Sequence, residues 1–199
     1  MKNTLILILV LLSTLQSLAQ KTYMVSIHTG VSNTLRGNIR NEYSLDGLNV
    51  NYKGIGPIGV RATTKINDKL SLGFDLIYGS ASAQFNLTDT TFSNGQWNYT
   101  TNSYDVTKRR LRPQFRFNRH FGNDVNFDQY VGFGIGGNIR WTKEYVNDTL
   151  TTLETNEFAI PVSMRVCYGF QYYPTYNFGI GGEIGIGGPF IQLVGTYRF

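Results

Sequence analysis

The sequence predicts an all-β fold: an eight-stranded antiparallel up-and-down transmembrane β-barrel. Three observations carry this expectation. A short apolar leader precedes the main body of the chain. Eight later segments alternate large apolar residues with glycines and charges. The connections between those segments alternate long and short.

The leader, residues 1–19, reads as a secretory signal peptide. Lys2 supplies a positive start, Leu5 to Leu12 is unbroken apolar sequence, and Ser17-Leu18-Ala19 offers small residues for cleavage. The apolar run falls short of the about 20 residues that a bilayer-spanning helix needs. Cleavage leaves residues 20–199 as one barrel domain. Any membrane crossing by that remainder must use a closed sheet, because its backbone polar groups need partners inside lipid.

The first segment sets Tyr23, Val25, Ile27, Thr29 and Val31 against Met24, Ser26, His28, Gly30 and Ser32. The second sets Ile58, Val60, Ala62, Thr64 and Ile66 against Gly59, Arg61, Thr63 and Lys65. After a tight turn at Asn67-Asp68, Leu70, Leu72, Phe74, Leu76 and Tyr78 oppose Ser71, Gly73, Asp75, Ile77 and Gly79. In the fourth, Leu111, Pro113, Phe115 and Phe117 oppose Lys108, Arg110, Arg112, Gln114, Arg116 and Asn118. The fifth opposes Val131, Phe133, Ile135, Ile139 and Trp141 to Gly132, Gly134, Gly136, Asn138 and Arg140.

The sixth segment opposes Phe158, Ile160, Val162, Met164, Val166 and Tyr168 to Ser163, Arg165, Cys167 and Gly169. The seventh places Phe178, Ile180, Ile184 and Ile186 against Gly179, Gly181, Glu183, Gly185 and Gly187. The last places Ile191, Leu193, Gly195, Tyr197 and Phe199 against Gln192, Thr196 and Arg198. A soluble barrel would turn the apolar face inward; an outer-membrane barrel turns it to lipid. Glycines crowded onto the polar face suit a narrow interior, and aromatics at strand ends suit an interfacial girdle, so the second orientation is expected.

Residues 33–53, 86–104 and 143–157 are long and polar and are expected to be outer loops. Residues 67–69, 120–129 and 172–177 are shorter and carry turn signals, as expected of periplasmic connections. Both termini are then periplasmic, in the cell outer membrane of a Gram-negative-type bacterium. A fourth outer connection at Gly187-Gly188-Pro189 is short. The single Cys167 excludes an intramolecular disulfide framework. A formal net charge of +5 would suit nucleic acid, but export argues against that partner.

The leader ending Ser17-Leu18-Ala19-Gln20, the alternating strands and the terminal strand Phe190 to Phe199 together resemble the small outer-membrane β-barrel domain family, the OmpA/OmpX-like and PorT-like barrels. The resemblance covers residues 20–199. It implies that Tyr197 and Phe199, aromatic at the third-last and last positions, form an insertion signal read by the barrel-assembly machinery. It implies outer-membrane lipids and lipopolysaccharide as surroundings, and it leaves open an unidentified protein or glycan partner at the outer loops.

On the polar face lie nine cations, Arg61, Lys65, Lys108, Arg110, Arg112, Arg116, Arg140, Arg165 and Arg198, with Asp75 and Glu183 as the clear acids. Charges in a narrow lumen need partners, so an interior ion-pair network is expected, giving a structural or interaction anchor with a largely self-filled lumen. The alternatives are a narrow anion-conducting pore and a secretion-associated barrel. Less favoured are a lipid-modifying enzyme using His28 with Ser26 and Ser32, and a secreted lipocalin-like binder. His120 beside Arg119 reads as an ordinary polar histidine. No catalytic, cofactor or metal motif is found.

Overall fold

The computed structural model describes residues 22–31, 34–43, 49–122, 124, 126–155 and 161–199. The leader, Ser32, Phe158 and Ile160 lie outside the described residues. The elements in chain order are β1 (Tyr23–Val31), α1 (Thr34–Glu42), β2 (Asn51–Asn67), β3 (Leu70–Ser93), β4 (Gln96–His120), β5 (Phe127–Gly137), β6 (Ile139–Val146), β7 (Thr149–Thr155), β8 (Val162–Tyr172), β9 (Phe178–Ile186) and β10 (Ile191–Arg198).

Eight of these strands hydrogen-bond into a closed antiparallel ring, β1-β2-β3-β4-β5-β8-β9-β10 and back to β1. Closure runs from Met24 opposite Arg198 to Val31 opposite Ile191, and the Phe199 amide donates to the Tyr23 carbonyl at 2.9 Å. The ring itself has no edge, so each of its eight strands has partners on both sides. The expected eight-stranded barrel is therefore present.

Alternation sets which side chains enter it. Along β8, and along β1 from Tyr23 to Thr29, buried and exposed residues alternate without a break. The exposed set is the apolar one: Ile27 is 67% exposed, Phe115 64% and Leu193 66%, whereas Asp75 and Glu183 are 0%. The barrel is thus apolar outside and charged inside, the inverse of a soluble protein. Tyr197 and Phe199 both lie on the outer surface, their rings edge-to-face at 5.1 Å.

The described residues of three polar segments expected to be loops lie largely in regular elements instead. Residues 86–104 continue β3 and β4 as a paired hairpin, in register from Leu70 opposite Arg119 to Ser93 opposite Gln96. Its turn is Asn94-Gly95, with φ of 53° and 78°, the left-handed pair that matches strand twist in a two-residue hairpin. Residues 143–155 likewise form β6 and β7 about Asn147-Asp148, with φ of 49° and 63°. β6 continues the line of β5 along β4 after a break at Asn138.

The segment 33–53 holds α1 and the start of β2. Ile39 of α1 is fully buried against Ala81 and Ala83, which are inward-facing on β3, so the helix packs on the inner wall beyond the charged lumen. Tyr43, Phe85 and Tyr104 extend that contact with ring centroids 5.4 and 5.3 Å apart. The opposite end has short connections. Asp68-Lys69 joins β2 to β3, one residue later than the sequence suggested, with the Asn67 side chain accepting from the Lys69 amide at 2.9 Å.

Candidate functional site: the charged lumen

Inward-facing positions of all eight ring strands meet along the barrel axis, and the side chains sort into layers. The central layer is built on Glu183 of β9. Its Oε1 accepts from Arg61 Nη1 at 2.6 Å, from Arg116 Nη2 at 2.6 Å and from the Tyr130 hydroxyl at 2.7 Å. Its Oε2 faces Arg61 Nη2 at 3.3 Å and Arg165 Nη2 at 3.5 Å. Four strands besides β9 thus converge on one carboxylate.

Asp75 of β3 completes the layer. Its Oδ2 accepts from Arg61 Nε at 3.1 Å and Nη2 at 2.9 Å, a two-pronged contact, and lies 3.6 Å from Arg116. Its Oδ1 lies 2.7 Å from His28 Nε2. The other nitrogen of His28, Nδ1, is 3.0 Å from the Gln192 amide nitrogen, and Arg165 Nη2 donates to Gln192 Oε1 at 3.0 Å. Because an amide NH₂ only donates, Nδ1 is the acceptor and Nε2 carries the proton given to Asp75. Both ring nitrogens are committed, so His28 has no lone pair left for base chemistry. Ser26 is turned to Thr196, at 2.9 Å.

Glycines make room for this network. A Cβ on Gly59 would sit 2.3 Å from the His28 ring, and one on Gly169 would sit 2.4 Å from the Tyr130 ring. The small residues on the polar face are therefore the spaces into which the large inward side chains lie.

Toward the short-connection end, His120 bridges Ser71 and Asp128. Its Nε2 is 2.8 Å from Ser71 Oγ, and its Nδ1 is 2.8 Å from Asp128 Oδ2. Asn118 Nδ2 also donates to Ser71 Oγ, at 3.2 Å. This is the connectivity of a hydrolase triad. Ser71, however, is fully buried, and the cavity beside it measures about 20 Å³, room for one water and not for an acyl group. Lys65 reaches Asp128 at 3.9 Å. The Arg198 guanidinium lies 3.8 Å over the Tyr173 ring, and the Tyr173 hydroxyl donates to Gln171.

Toward the end that carries the long hairpins and α1 the layer is cationic. Arg110 and Arg140 stand directly opposite each other on β4 and β6, with Arg112 two residues along β4. Arg112 Nη1 donates to the Gly187 carbonyl at 3.1 Å. Lys108 lies at the rim, paired with Glu42 of α1 at 2.8 Å. The eleven charged residues expected on the inner face are thus split. Arg61, Arg116, Arg165, Asp75 and Glu183 are brought together; Lys65 and Arg198 sit at one end, and Lys108, Arg110, Arg112 and Arg140 at the other.

Sequence reasoning missed Asp128 and Tyr130, because β5 begins at Phe127 and not after residue 129. The signal was available: Asp128 and Tyr130 extend the period-two row of Gly132 and Gly134. It also missed α1, although Leu35, Ile39 and Tyr43 recur at helical spacing. Among the described residues no cluster of three His, Cys, Asp or Glu side chains is placed to hold a metal.

No protein-family model matches the chain, and no curated protein matches it. Among solved structures, the chain is similar to two of Ail, the attachment invasion locus protein of Yersinia pestis. One, in complex with the heparin analogue sucrose octasulfate, is 12% identical with a TM-score of 0.37. The other is 14% identical with a TM-score of 0.33. Each match covers 90% of this chain and 97% of that one. The eight-strand ring described above stands on its own hydrogen bonds, independently of this likeness.

Proposed function

We propose that the protein is a bacterial outer-membrane barrel that acts as an anchor: its lumen is sealed by its own side chains, and two hairpins and a helix are carried at the outer end. The supporting observation is the inverted polarity of the closed ring. A belt of isoleucine, phenylalanine, leucine and valine covers the outside while Arg61, Arg116, Arg165, Asp75 and Glu183 are buried within. In water the belt would be a large exposed apolar surface; in lipid it is matched, and the ring satisfies the backbone.

In this reading residues 1–19 are removed on export. Both termini lie on the periplasmic side with the short connections, and Tyr197 and Phe199 serve the barrel-assembly machinery. Lipids and lipopolysaccharide surround the belt. The outer hairpins offer the surface for a protein or glycan partner, with Phe92, Trp97 and Tyr99 exposed around the β3–β4 tip. A sealed anchor is favoured over an anion-conducting pore because Arg61, Arg116, Arg165, Asp75 and Glu183 close the centre, each no more than 3% exposed. Fractionation of the producing cells tests the reading. Recovery with the outer membrane, with heat-modifiable migration on gels and no current in planar bilayers, is expected. Recovery in the soluble periplasmic fraction overturns it.

A further inference from the structure

The outer end of the lumen contains a charge arrangement that the anchor does not use. Arg110 faces inward from β4, is only 8% exposed, and makes no hydrogen bond or ion pair with any described residue; its Nε is buried without a partner. Arg112 has one contact, to the Gly187 carbonyl, and its Nε is also unpartnered. Neither has a carboxylate among the described residues within ion-pair distance. Arg140 stands straight across the ladder from Arg110, and its positive charge and that of Arg112 both bear on Arg110. Like charges directly opposite on one sheet face repel, and a buried guanidinium without an anion is costly.

The surroundings give this cluster the form of a chamber. On β3 the positions across from Arg110 and Arg112 are Gly79 and Ile77, so neither offers a counter-charge. Below lies the central layer, where Glu183 and Asp75 are already saturated by Arg61, Arg116, Arg165 and His28. Above lies the apolar contact of Ile39 with Ala81 and Ala83, and the Lys108–Glu42 pair closes the rim. The guanidiniums of Arg110 and Arg112 therefore lie between a neutralised layer and a helix, that of Arg110 with its donors unspent.

We propose that this outer chamber is a binding site for one small tetrahedral oxyanion of the phosphate class, held by Arg110 and Arg112 with Arg140 at its side. Guanidinium groups suit that ligand because their planar N–H forks match two oxygens of a phosphate at once. The helix over the mouth favours a free anion over a phosphate carried on a lipid headgroup. The inference rests on the lumen geometry alone and holds whether or not the anchor reading does.

The test uses the purified full chain in detergent, titrated with inorganic phosphate at ionic strength held constant with chloride. Calorimetry and the thermal unfolding midpoint are the readouts. Saturable binding with a rise in the midpoint is expected. Arg110→Gln should weaken binding at least tenfold, and in phosphate-free buffer it should be as stable as the parent or more so, since repulsion is relieved. Arg109→Gln, on the adjacent position of the opposite face, should bind within twofold of the parent. If Arg110→Gln fails to fold, Arg112→Gln supplies the same reading. Absence of saturable binding, or equal binding by the variant that folds, overturns the site. Binding only of phosphatidylglycerol vesicles, and not of inorganic phosphate, places the recognition on a headgroup outside the chamber and also overturns it.

Discussion

Arg61 and Glu183 lie 122 positions apart in the chain, yet their side chains meet at 2.6 Å in the centre of the barrel, both screened from solvent. Neither charge would be tolerated there alone. Glu183 also holds Arg116, Tyr130 and Arg165, so one carboxylate ties β2, β4, β5 and β8 to β9.

Glu183→Gln should therefore lower the stability of the folded barrel by about 3–5 kcal/mol, the usual cost of leaving buried partner charges unmatched. Asp89→Asn, at an exposed position of the β3–β4 hairpin, should change it by less than about 0.5 kcal/mol. Denaturant unfolding in detergent micelles measures both. Similar effects at the two positions would mean that the lumen is hydrated enough to screen its charges.

The belt makes a different demand. Phe115→Arg and Ile135→Arg each put a cation on the outer apolar face, where about 2–4 kcal/mol is lost near mid-membrane. Folding yield in lipid vesicles should fall sharply for both. Thr100→Arg, exposed on the projecting hairpin, should fold like the parent. Equal yields for all three would place the belt outside lipid.

Gly169 lies beneath the Tyr130 ring, with no room for a Cβ. Gly169→Ala should cost about 1–3 kcal/mol through overpacking. The penalty should shrink in a Tyr130→Ala background, and a double-mutant cycle reads the coupling. Additive effects would show that the ring moves aside without strain.

The β3–β4 tip should respond locally. Gly95 holds φ of 78° and has open space around it, so Gly95→Val is disfavoured by backbone conformation and not by a clash. Limited proteolysis should then cut near residues 90–100 faster, with the global unfolding midpoint unchanged. A fall in the midpoint would mean that the hairpin is coupled to the barrel.

Ser71 should be chemically silent despite its link to His120 and Asp128. A fluorophosphonate probe should leave the folded protein unlabelled, because the adjoining space of about 20 Å³ admits only water. Labelling that disappears in Ser71→Ala would reveal a hydrolase.

The barrel was legible in the sequence because strand geometry is strictly alternating. Once Leu111, Phe115 and Phe117 share a face, Arg112, Gln114 and Arg116 must share the other, whatever the rest of the chain does. The turn after β2 was readable to within one residue. Asn94-Gly95 carries the local signal for its hairpin, but the polar residues around it hid the pairing, since a hairpin solvated on both faces has no apolar stripe. The extent of the outer strands and the inner seat of α1 therefore emerged only with the fold.

What the sequence by itself determined is most of the list of side chains that face inward, Asp128 and Tyr130 excepted, and hence a lumen crowded with arginine. Which of those arginines find an acid was decided by tertiary structure. Ring closure and strand stagger bring Arg61, Arg116 and Arg165 to the level of Glu183, and leave Arg110 and Arg112 above it. Alternation fixes the face of a residue but not its height in the barrel, and ion pairing, which decays within a few ångströms, depends on height.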